Sequence, residues 1–268
     1  MFNNALMGSL MRKVVEPEPT YALLLNHEEN YNHGDNVPIW SDKSGNDAHA
    51  VQDTASRQPT WDTTQFSAGS VQAGVADKWL EADVHDIFEG GGGLALVFKR
   101  DSNGVNTNFG QFISNCSDAE GVVGDRGYFL ACHWRSGHRI RFSHYFSDGS
   151  TKTISIPDNS TGTLGARVLM VINYNAAPGE SPAVHTWGSG AANGLVSINT
   201  ENNPNAEANY QSDANLPLIL MSRLTSPHLT FDGAMSYTRF KKGGFFTEAE
   251  IEDLKILAKN TYQVNIPD

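Results

Sequence analysis

The acidic stretch Glu81-Ala82-Asp83-Val84-His85-Asp86 holds the side chains best suited to bond-breaking chemistry. Two carboxyl groups flanking a sugar are the apparatus of glycoside hydrolysis, one as nucleophile and one as acid/base, about 5–5.5 Å apart for retention. On a strand, Glu81 and Asp83 share a face, because side chains alternate with a period of two. The interposed His85 shifts that alternation before Asp86 is reached. The expectation is a strand with a polar outer face leading into a loop, not a catalytic pair. Glu89-Gly90-Gly91-Gly92-Gly93-Leu94 lacks the Lys-Ser/Thr and following helix of a phosphate loop, and is expected as a flexible connection. His133, His138, His144 and His185 fall on separate predicted strands with no H-E-x-x-H pairing, and G-x-S-x-G is absent. No catalytic set emerges, so a non-enzymatic chain is expected.

Binding chemistry is better represented. A glycan site needs an exposed aromatic platform with amide and carboxylate partners at a concave face or loop rim. Trp134, Trp187, Tyr145 and Tyr210 are the candidate platforms, and the Asn-rich segment 199–215 is a candidate rim loop. Trp187 stands beside Gly188-Ser189-Gly190, which predicts an exposed hairpin tip. The alternative is that the tryptophans fill the core.

These residues must be positioned by strands. Val75–Val84, Leu94–Lys99, Phe109–Ser114, Gly127–Trp134, Val184–Trp187, Leu195–Ile198, Leu216–Met221 and Leu229–Phe240 have strand composition. Ile140, Phe142, His144 and Phe146 alternate with Arg141, Ser143 and Tyr145, as in a half-buried strand, and Asp148-Gly149 turns it into a second strand ending at Ile156. Ala166–Tyr174 is almost continuously apolar and predicts a central strand covered on both faces. Thr247 and Glu250 form a capping-box pattern ahead of Ile251, Leu254, Leu257 and Ala258, the buried stripe of a C-terminal helix. The expected fold is all-β: one two-sheet antiparallel jelly-roll sandwich over residues 21–268, with an N-terminal arm and spacer over 1–20.

Trp40-Ser41-Asp42-Lys43-Ser44-Gly45-Asn46 with Ala48 and His49, together with Phe231-Asp232-Gly233-Ala234-Met235 and Phe246-Thr247-Glu248-Ala249-Glu250-Ile251, resembles the opening turn, closing strand and helix of concanavalin-A/laminin-G-like jelly-roll domains. Between them these motifs bracket residues 21 to 262. Trp40 is expected to enter an apolar layer with its N–H on a nearby carbonyl. The stretch at Glu81 resembles the acidic strand of laminarinase-type glycosidases, with Asp86 where those enzymes place a longer acid. The resemblance also implies a possible structural Ca²⁺, for which Asp42, Asn46, Asp47 and Asp232 are the candidate oxygen ligands. The alternative is an Asx-rich turn that bonds its own backbone.

A formal charge of −11 over 268 residues argues against nucleic acid or an anionic membrane as partner. No apolar run approaches the ~20 residues of a membrane helix. Cys116 and Cys132 are the only cysteines, and two free buried thiols are expected rather than a disulfide. Phe2, Leu6, Met7, Leu10 and Met11 precede a Pro-Glu spacer, and Arg12 and Lys13 follow them, which does not fit a signal peptide. The expectation is a retained assembly arm. The combination resembles laminin-G-like proteins of tailed-phage virions. That resemblance implies a virion location, other virion proteins and further copies of this chain as partners in a dimer or trimer, and host glycans as ligands.

Overall fold

The computed structural model describes residues 21–267 except 75–76, 86, 89–90, 103–109, 116–126, 134–138, 147–150, 176–181, 203–215 and 223–228. The first strands are β1 (Tyr21–Leu25), β2 (Ile39–Trp40), β3 (Ala50–Val51), β4 (Thr60–Asp62), β5 (Ser70–Gln72), β6 (Leu80–Ala82), β7 (Gly92–Arg100), β8 (Gln111–Ser114) and β9 (Gly127–His133). They are followed by β10 (Arg139–Tyr145), β11 (Thr151–Ile156), β12 (Arg167–Tyr174), β13 (Ala183–Gly188), β14 (Gly194–Leu195), β15 (Asn199–Asn202), β16 (Leu218–Leu220), β17 (Gly233–Lys242) and the helix α1 (Glu248–Asn260).

The strands form two antiparallel sheets. The first runs β14-β13-β12-β7-β17-β5-β4, and β1 shares with β5 the edge of β17 that faces away from β7. The second runs β15-β11-β10-β9-β8-β16-β6-β3-β2. Side chains from their facing surfaces, including Trp40, Leu96, Phe98, Phe112, Phe142, Met170, Ile172 and Phe231, make one core. A second apolar layer lies on the outer face of the first sheet, where Ala95, Val97, Leu169, Val171 and Trp187 meet Ile251, Leu254 and Ala258 of α1. This explains why the middle of β12 is apolar on both faces: Val168, Met170 and Ile172 enter the inter-sheet core while Leu169 and Val171 lie under the helix.

The expected hairpin forms with Ile140 opposite Ile156 and Phe142 opposite Ile154, while its Asp148-Gly149 turn lies outside the described residues. The half-buried expectation fails on its outer face. Ser143 and Tyr145 are buried, because Phe129, Ala131 and Tyr145 form a small apolar cluster of their own. The expected strand from Val75 to Val84 also divides differently. Gly74 (φ 61°) and Asp77 (φ 69°) turn the chain, so β5 stays in the first sheet and β6 joins the second. Residues 199–202, expected in a rim loop, instead pair with β11 as an edge strand.

The helix is as its sequence dictates. Thr247 accepts from the Glu250 N–H, the Glu250 carboxylate accepts from the Thr247 N–H, and Leu254 is buried. Among the described residues no helix is long and apolar enough to cross a membrane. The chain beyond α1 is structural too. Tyr262, Val264 and Ile266 are buried in the helical layer, while Gln263 and Asn265 alternate with them on the exposed side.

Candidate functional site

The outer face of the first sheet changes character at one end. Ala95, Val97 and Lys99 follow one another along one face of β7, and Val171, Leu169 and Arg167 along the same face of β12. Arg167 is directly opposite Lys99 in the ladder, just as Leu169 is opposite Val97. Where the helical layer ends, two cations therefore stand side by side. They lie in a polar cleft of about 400 Å³ lined also by Thr64, Gln65, Gly165, Ser189, Gln263 and Asn265.

Each side chain in the cleft is held. Arg167 Nε donates to the Gln65 carbonyl at 2.8 Å and Nη1 to Gln263 Oε1 at 2.8 Å, with the guanidinium over the Phe66 ring. Lys99 Nζ donates to Gln65 Oε1 and, at 2.6 Å, to Asp101 Oδ1. Gln263 Nε2 donates to Ser67 Oγ, and Asn265 Nδ2 to Ser189 Oγ, both at 3.2 Å. The signal for the last two residues is the period-two pattern Tyr262-Gln263-Val264-Asn265-Ile266, which lies outside every predicted element. The Lys99–Arg167 pairing had no such signal, since register is not written in either strand alone.

Of the aromatic candidates, the two among the described residues, Trp187 and Tyr145, do not form a platform. Trp187 is 5% exposed and packs in the layer under α1, stacked on His185 and covered by the Lys255 ammonium. The Gly188-Ser189-Gly190 turn is at its strand end, but the indole faces the sheet's helical side. Tyr145 is likewise buried, against Phe129. Both are structural residues, which corrects the expectation of exposed stacking rings. Trp134 and Tyr210 lie outside the described residues, as do Phe2, Leu6, Met7, Leu10 and Met11.

Among the calcium candidates, the Asp42 carboxylate serves another purpose. Asp42 Oδ1 accepts from the backbone N–H of Leu24 and Ser44, and Oδ2 from Ser44 Oγ and the Ala48 N–H. These donors hold its carboxyl below the usual carboxylate range against the opposing effect of burial. With both oxygens directed at donors, the arrangement does not fit a cation. Asn46 Nδ2 donates to Ser44 Oγ, and Asp47 takes a left-handed conformation at the turn. The Asp232 carbonyl accepts from the Asp101 N–H, and Gly233 follows because a Cβ there would meet the Lys99 carbonyl at 2.1 Å. No group of three or more His, Cys, Asp or Glu able to hold a metal occurs among the described residues. The tryptophan of the opening motif is as expected: Trp40 is fully buried and donates to the Asn26 carbonyl at 2.6 Å.

Glu81 is half-buried in β6 and Asp83 is exposed beyond it, hydrogen-bonded through Oδ1 to His85 Nε2 at 2.6 Å, while Asp86 is outside the described residues. Leu80, Ala82 and Val84 face the core, so the strand has the polar outer face its alternation predicts. His144 is buried with Nδ1 3.1 Å from the Tyr174 hydroxyl. Cys132 is a buried free thiol, pushed up to about 11 by burial; Cys116 is outside the described residues.

Two packed antiparallel sheets with a helix on the outer face define an all-β sandwich of the jelly-roll type. No protein-family model matches the sequence, and no curated protein sequence is significantly similar to it. Solved structures are similar in fold. The binding domain of botulinum neurotoxin serotype D aligns at 11% identity and a TM-score of 0.58, over 88% of this chain and 50% of that one. Domain 4 of AbnA, a family GH43 extracellular arabinanase from Geobacillus stearothermophilus solved with arabinotriose, aligns at 11% identity and 0.55, over 89% of this chain and 99% of that one. A Trypanosoma rangeli sialidase aligns at 10% identity and 0.51, over 89% of this chain and 33% of that one. This chain thus spans half of the neurotoxin structure and nearly all of the arabinanase domain.

Proposed function

We propose that this chain is a non-enzymatic carbohydrate-binding sandwich carried on a phage particle, with residues 1–20 as its assembly arm. The observation that carries the binding part is the near-complete alignment with an arabinanase domain solved in complex with arabinotriose. Alignment over 99% of that domain supports recognition of a saccharide by a sandwich of this extent. The polar cleft at Lys99 and Arg167 supplies amides and hydroxyls suited to sugar hydroxyl groups, within the 300–1,000 Å³ typical of ligand sites. The virion part rests on the resemblance of the two end motifs and on the apolar arm before its Pro-Glu spacer. It implies other virion proteins and further copies of this chain as partners. A glycan array probed with the full chain tests the binding part. Reproducible retention of a related set of saccharides is the expected outcome, and an empty array with folded protein would remove it.

A further inference from the structure

Two neighbouring cations at the floor of an amide-lined cleft are an unusual feature in a chain with a formal charge of −11. Like charges directly opposite one another on a sheet face are destabilising. Asp101 offsets Lys99, but no carboxylate lies within 4 Å of Arg167 among the described residues. The guanidinium is nonetheless aimed, not idle. Its Nε and one Nη1 hydrogen are committed to Gln65 and Gln263, its face rests on Phe66, and the rest of its five N–H donors remain for a ligand. A planar guanidinium fixed in this way matches a carboxylate in a two-point contact, which a lysine would not.

We propose that this cleft takes the carboxylate of an acidic saccharide, a uronate or a sialic-acid-type sugar. The carboxylate binds Arg167 with Lys99 beside it. Gln65, Gln263, Asn265 and Ser189 lie around it to meet the sugar hydroxyls. The surrounding negative protein makes the site selective, because an anion is favoured only within roughly a Debye length of the two cations, about 8 Å at physiological salt. The proposal rests on the carbohydrate-binding reading and adds the ligand's charge and place.

Calorimetric titration of the full chain with oligoglucuronate, oligosialate, their carboxyl-reduced forms and a neutral arabino-oligosaccharide tests it. At least one acidic oligosaccharide should bind, more weakly as salt rises, and its carboxyl-reduced form should lose about tenfold or more in affinity. Arg167→Gln should cause a similar loss. Arg167 also ties Gln65 to Gln263, so Asn265→Ala is the second variant; it should weaken binding with an unchanged melting temperature. Glu81→Gln, on the other sheet, should bind as wild type. If only the neutral sugar binds, or acidic binding survives both Arg167→Gln and Asn265→Ala, the cleft assignment is overturned while carbohydrate binding stands. If no saccharide binds, both fall.

Discussion

Single residues here are constrained more by the donors and rings around them than by any reaction. His144 is held neutral, its pKa pushed down to about 3 chiefly by burial and then by the Lys152 charge, and burial also lowers that of His185. Unfolded histidine takes up a proton near pH 6.5, so between there and about 3 the unfolded state binds more protons. Stability should therefore fall as pH drops below about 6.5, by at most about 1.4 kcal/mol per pH unit for His144. Asp42, Asp62 and Glu250 are lowered instead, and their contributions are lost only as pH falls below the ordinary carboxylate range. The interval from about pH 6.5 to 5 thus belongs to histidine. Urea midpoints across it should flatten in His144→Gln, with His185 supplying the residual slope. Asp42 makes a second prediction. Asp42→Ala strands the N–H groups of Leu24, Ser44 and Ala48 and should cost about 2–4 kcal/mol by urea unfolding. Calcium or a chelator should leave the melting temperature of the native protein unchanged; a calcium-dependent rise would restore the cation site. The importance of Asp42 was legible from its Asx-rich turn, but whether it faced a cation or backbone donors was not, because the main acceptor problem is posed by β1, 18 residues earlier.

At the scale of elements, the sequence was most informative where a local pattern and a local partner coincide. The capping box at Thr247 and the apolar run of β12 needed nothing distant to be recognised. Trp187 was misjudged because its glycine neighbours describe the turn, whereas its burial is decided by α1, some sixty residues further on. The same distance hid the alternating tail from Tyr262 to Ile266 as a layer of the fold. The helix should accordingly be a docked clamp. Leu254→Ala is expected to cost about 2–5 kcal/mol by cavity formation, and Thr247→Ala about 1 kcal/mol through the lost cap. Chemical denaturation of the two variants checks the order, and equal negligible effects would mean that α1 contributes no packing.

For the whole molecule, the assembly role proposed for residues 1–16 predicts that their deletion leaves a folded sandwich with the same melting temperature but abolishes self-association and joining to the particle. Sedimentation of both forms decides it; an unchanged oligomer and unchanged incorporation would leave the arm without a role. The sandwich has its own assembly problem. β17 pairs with β7 along one edge and with β1 and β5 along the other, so the middle of the first sheet is its last strand to be made. On the ribosome, β1, β4, β5, β7 and β12 must wait for residues 233–242 with an open gap between them, and loop closure over two hundred residues is slow. Until then the edge of β7 that will face β17 is bare, and its Leu94-Ala95-Leu96-Val97-Phe98 run is an invitation to neighbouring chains. A ribosome that stalls before Gly233 would release an aggregating fragment rather than a smaller domain, and yield in a cell will depend on how quickly residues 233–242 follow.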